Sequence, residues 1–105
     1  MATVVIDQNY EYIWQVSDDV LKKVLNDVLR HIDKRLAIYD LLYVASSHGK
    51  LEFFLLGQEQ KTLFEQLVQR FYDESAAEGQ KTSLDKADLP KVKQLLDFIA
   101  FAKNL

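Results

Sequence analysis

The most regular hydrophobic pattern in this chain runs from Val20 to Leu36. Advancing about 100° per residue, Val20, Leu21, Val24, Leu25, Val28, Leu29, Ile32 and Leu36 fall on one half of a helical circumference. Lys22, Lys23, Asn26, Arg30, Asp33 and Lys34 fall on the other. Ser17-Asp18-Asp19 precedes this run as a cap candidate with acids in the first turn, so the pattern predicts a helix over 18–36. Upstream, residues 3–16 are rich in β-branched and aromatic types and carry turn formers at Asp7 to Asn9. That pattern predicts a β-hairpin. Within it Tyr10, Tyr12 and Trp14 alternate with period two, which puts all three on one face of a strand.

Residues 37–57 divide the reading. Leu41 to Ala45, the polar stretch Ser46 to Lys50, and Leu51 to Leu56 resemble two strands joined by a Gly-containing turn. In the rival reading the first helix continues to Ser47, Gly49 terminates it, and a second long helix starts near Lys50. The density of apolar residues around every angle favours strands, as does Gly57, which would cost about 1 kcal/mol inside a helix.

Gln58 to Ala76 predicts a further amphipathic helix, with Leu63, Phe64, Leu67, Val68, Phe71 and Tyr72 on its apolar face and Gly79 to end it. A polar connector over 79–88 leads to Pro90, suited to the first turn of a last helix over 90–104. Shifting the chain by 40 residues superposes two strand–small residue–helix units, but only Val28/Val68 and Arg30/Arg70 are identical, so duplication does not follow. The expected architecture is one α+β domain over residues 1–105: a small antiparallel sheet of two hairpins, over 3–16 and 40–56, packed with three helices. The alternative is an all-α bundle.

Composition narrows the class. With 105 residues, 49% of them hydrophobic, the chain is long enough for a core of its own. The absence of cysteine excludes disulfide scaffolds and thiolate-held metals. No apolar run reaches the roughly 18 residues of a membrane span, and Met1 to Ile6 lack a basic leader, so a cytoplasmic location is the expectation. A formal charge of −3, with acids and bases interspersed, argues against nucleic acid as a partner.

Signatures of chemistry are sparse. Gly49, Gly57 and Gly79 are isolated and build no phosphate loop. Ser46 and Ser47 adjoin His48 at an expected turn without an orienting acid. Asp27 and His31, four apart on the first helix, form a carboxylate–imidazole pair that would need further ligands to hold a metal. Residues 75–89 resemble the longer pseudo-EF-hand loop of small dimeric calcium-binding proteins. In that resemblance Ser75, Glu78, Gln80 and Ser83 would offer carbonyls and Asp88 would stand at the bidentate position. Asp replaces the family's Glu there, Pro90 interrupts the exit helix, and no partner loop with alternating Asp occurs, so the segment is read as a polar interhelical loop. No cofactor and no metal site are expected.

The last helix carries excess apolar surface. Val92, Leu95, Leu96, Ile99 and Ala102 form one stripe, and Phe98, Phe101 and Leu105 continue around it. A helix apolar over more than half its circumference needs neighbours on two sides. The functional expectation is a non-enzymatic protein–protein interaction or regulatory module: an adaptor, inhibitor or small complex subunit. Its partner would be another protein chain, including a second copy of itself, met through Tyr10, Tyr12 and Trp14 or through Phe98, Phe101 and Leu105. The alternative is a ligand-binding domain or small acid–base enzyme with a pocket between sheet and helices near Tyr10, Tyr12, Trp14 or His31. Hydrophobic surplus is concentrated in 41–56 and in the last helix, which is where a partner surface would be sought.

Overall fold

A computed structural model describes residues 1–77 and 82–102. The first hairpin forms as the β-branched and aromatic content of residues 3–16 predicts. Strands β1, Ala2–Val5, and β2, Ile13–Val16, pair antiparallel from Ala2↔Val16 to Val5↔Ile13. The connection is organised by Asp7, whose Oδ1 accepts the backbone N–H groups of Glu11 at 2.9 Å and Tyr12 at 2.8 Å. Helix α1, Asp18–Arg30, buries Val20, Leu21, Val24, Leu25 and Val28, the apolar stripe of the wheel. It ends six residues earlier than the sequence pattern suggests. The chain turns there because the Asp33 carboxylate accepts the backbone N–H of Arg35 at 2.9 Å and its guanidinium at 2.8 Å, an arrangement that competes with continued helix.

The expected second hairpin over 40–56 is corrected. Residues Ala37–His48 form helix α2, and only Lys50–Glu52 form a strand, β3, followed by one 3₁₀ turn over Phe53–Leu55. Gly49 closes α2 in the left-handed region at φ 72°, its N–H donating to the Ala45 carbonyl at 2.8 Å. The helical reading thus anticipates a helix ending at Gly49, though as a helix separate from α1, and the strand reading anticipates β3, though only Leu51 and Glu52 of the expected 51–56 are strand. The sheet is correspondingly mixed, with order β2-β1-β3, because β3 joins β1 in parallel through Thr3↔Lys50, Val4↔Leu51 and Val5↔Glu52.

Helix α3, Gln58–Ala76, and helix α4, Leu89–Ala102, complete an α+β fold in which the described residues form four α-helices rather than three. Gly79, expected to end α3, lies outside the described residues. Gly57 lies ahead of α3 as its N-cap, its N–H held by Gln60 Oε1 at 2.8 Å, so the cost of a helix-interior glycine does not arise. The core gathers Val4 and Trp14 from the sheet, the α1 stripe, Phe64, Val68 and Phe71 from α3, and Val92, Leu95 and Ile99 from α4. Trp14 is fully buried, and its indole N–H reaches the Lys91 carbonyl in the first turn of α4 at 2.7 Å. That bond serves a carbonyl while anchoring α4 across β2, so the polar atom of the largest core side chain is satisfied. No helix among the described residues is long and apolar enough to cross a membrane.

Candidate protein-interaction site

The aromatic trio of the first hairpin is split three ways. Trp14 is sealed in the core. Tyr12, just ahead of β2, packs on α4 with ring centroids 4.8 Å from Phe101 and 6.2 Å from Phe98. Tyr10 leaves the strand face altogether: it sits in the turn at φ 58°, edge-on to Phe54 at 5.9 Å, with the Lys50 ammonium 5.7 Å from its ring. The expected single stripe is thus interrupted by the turn that Asp7 builds. Phe98 is half-buried, Phe101 remains 47% exposed, and Leu105 lies outside the described residues. Within the described part of the second apolar stripe of α4, Tyr12 of the same chain covers Phe98 in part and leaves Phe101 half exposed.

Features weighed for catalysis disperse in the same way. Asp27 is buried and takes Arg30 as its partner at 2.7 Å, whereas His31 is exposed at the C-terminal end of α1. Ser46, Ser47 and His48 form the last turn of α2 and not a loop, with Ser47 Oγ donating to the Tyr43 carbonyl. Ser75, from the segment that resembles a calcium loop, is buried and donates to the Phe71 carbonyl at 2.7 Å while sharing a second bond with Thr82 Oγ1. Glu78 and Gln80 of that segment lie outside the described residues. Asp88 lies in a short 3₁₀ turn, 3.9 Å from the Lys91 ammonium. Among the described residues no group of three His, Asp or Glu could hold a metal. In the surface turn after α1, hydrogen bonds from Arg35 hold the Asp33 carboxyl below its ordinary range, and the same contact raises Arg35. Both groups are exposed and oppositely paired, so this turn is structural.

Helix α2 holds the surface that remains. Three faces can be followed along it. Ile38, Leu42 and Ala45 are buried; Tyr39 and Tyr43 stack on each other at 6.4 Å; and Leu41, Val44 and His48 point outward. Leu41 is 47% exposed, Val44 51%, and Leu55 in the following 3₁₀ turn 68%. Single exposed leucines carry no message, because folded surfaces are largely apolar; contiguity does. Here Leu41, Val44 and Leu55 line one groove of 270 Å³, floored by Leu51 and Leu56 and rimmed by His48, Lys50 and Glu52.

The groove runs beside β3, which among the described residues has a neighbour on one side only. An exposed strand edge offers N–H and C=O groups to another chain, and apolar side chains beside it offer burial worth roughly 1 kcal/mol apiece when half-exposed groups are covered. Sequence reasoning placed hydrophobic surplus in this segment but not on this face, since strands assigned to 41–45 would have turned half of those residues inward. The missed signal was the spacing Leu41, Val44, His48, a helical row visible once Gly49 is taken as a terminator. Comparisons of the chain with protein-family models, with curated proteins and with solved structures returned no match.

Proposed function

We propose that this protein is a non-enzymatic interaction module that receives another protein chain on the face formed by α2, the open edge of β3 and the 3₁₀ turn. The observation that carries the reading is the contiguity of Leu41, Val44 and Leu55 around one groove alongside an open strand edge. The dispersal of the residues weighed for chemistry supports it. Trp14 has no exposed surface and His31 lies at the far end of α1, so of the residues weighed for an acid–base pocket only Tyr12 lines a groove, beside Asp7, Glu11 and Lys61. Phe101, half exposed beside Tyr12, supplies a second and smaller apolar spot.

A photo-crosslinking amino acid at position 44, in the full chain within its native cell, tests this. Discrete adducts with a protein are expected, identified by mass spectrometry and lost when Leu41→Asp or Leu55→Asp is added. The same probe at position 101 is the comparison. Adducts at 101 with none at 44 would move the docking face to α4, and none at either position would remove the interaction reading.

A further inference from the structure

The β3 edge is complementary to itself. In the parallel ladder the Gly49 carbonyl accepts the Thr3 N–H at 2.9 Å, and Leu51 follows in the same phase. Lys50, in the opposite phase, therefore aims its backbone N–H and C=O at the open edge, and Glu52 its N–H, while the Glu52 carbonyl begins the 3₁₀ turn over Phe53–Leu55. A strand arriving antiparallel can hydrogen-bond these groups, sharing the Glu52 carbonyl with that turn.

For a second copy of β3 three registers satisfy this phase. Two of them set Lys50 against Lys50 or Glu52 against Glu52 of the other copy. The third, with its two-fold axis through Leu51, sets Lys50 against Glu52 twice. Like charges directly opposed across a ladder are destabilising and opposite charges stabilising, so the side chains select the third register. Short length and lysine are the usual defences of an edge against random pairing. In this register the same residues favour one partner.

In that register Leu51 would lie opposite its own copy as a non-hydrogen-bonded pair, and the apolar groove lined by Leu41, Val44 and Leu55 lies beside the same strand. We propose that the partner of the α2–β3 face is a second copy of this chain, joined through antiparallel β3 strands into one six-stranded sheet, with Lys50 paired to Glu52 in both directions. This rests on the reading of that face as a docking surface. It adds the identity of the partner and the register.

Sedimentation equilibrium of the full chain from micromolar to millimolar concentration tests the proposal. The side chains of Lys50 and Glu52 are 50% and 36% exposed and lie 4.0 Å apart within the chain, with the Tyr10 hydroxyl donating to Glu52 at 3.4 Å; circular dichroism and melting of each variant check that the fold survives their replacement. Lys50→Glu alone and Glu52→Lys alone each set like charges across the axis and weaken self-association by at least about tenfold. Mixed one to one, the two variants associate with each other, because both acids of the first then face both bases of the second across the ladder. The double swap Lys50→Glu/Glu52→Lys regains the parent's dimerisation. A monomer throughout the range overturns the proposal, as does a dimer indifferent to both reversals. A monomer that still yields crosslinks to a different protein at position 44 overturns only the identity of the partner; a monomer without adducts overturns the docking face as well.

Discussion

Trp14 illustrates how a residue attractive for function in sequence becomes structural in three dimensions. Period-two alternation with Tyr10 and Tyr12 suggested a shared face, yet that alternation holds only while the backbone stays extended, and Tyr10 occupies the left-handed region at φ 58°. The conformation is uncommon for a bulky residue and follows from Asp7 drawing two later N–H groups onto one oxygen. Composition could locate the turn at Asp7 to Asn9, but not that it would extend through Tyr10. Trp14 itself is held at both its apolar body and its polar tip. Trp14→Phe keeps an aromatic ring in the core while removing the donor to the Lys91 carbonyl and part of the packing volume. It is expected to lower stability by about 1–3 kcal/mol in chemical denaturation. Self-association should be unchanged at concentrations where the protein is folded, because Trp14 does not reach the α2–β3 face.

At the level of elements, legibility tracks amphipathicity. Helices α1 and α3 have one buried and one polar face, and their apolar spacing alone placed them. Helix α2 buries Ile38, Leu42 and Ala45 while leaving Leu41, Val44 and Tyr43 outside, so apolar residues surround it and the helical period is lost. The element hardest to read is the one whose exposed face departs from the usual rule of one apolar and one polar side. What settles the boundary is Gly49. A Cβ there would meet Asp18 Oδ1 at 3.6 Å, an ordinary contact, so space is not the constraint; the φ of 72° is. Gly49→Ala is expected to destabilise by roughly 1–2 kcal/mol through backbone conformation alone. Gly57→Ala, at an N-cap with φ −66° and similar room, serves as the contrast and should cost less. Thermal melts of the two variants side by side measure the difference.

Over the whole molecule, the α+β class was legible from the first hairpin and the helical runs, but the pairing that organises the sheet was not. Strand β3 joins β1 across more than forty intervening residues, and a three-residue strand has too few side chains to announce either its partner or its parallel direction. That pairing makes β1 the central strand, with Val4 and Val5 buried on its two faces, and leaves β3 as an edge whose backbone groups are inequivalent. Amide hydrogen exchange reads this arrangement directly. The Thr3 and Val5 amides, bonded inward to β3, open only with disruption of the sheet and are expected among the slowest to exchange, whereas Lys50 and Glu52 amides, aimed outward, exchange early in the dilute chain. Raising the concentration through the association range should slow exchange at Lys50 and Glu52 while leaving Thr3 and Val5 almost unaltered. Protection appearing instead in β2 or at the end of α4 would mean that the copies meet elsewhere, and uniform slowing across the chain would signal general stabilisation without a shared strand edge.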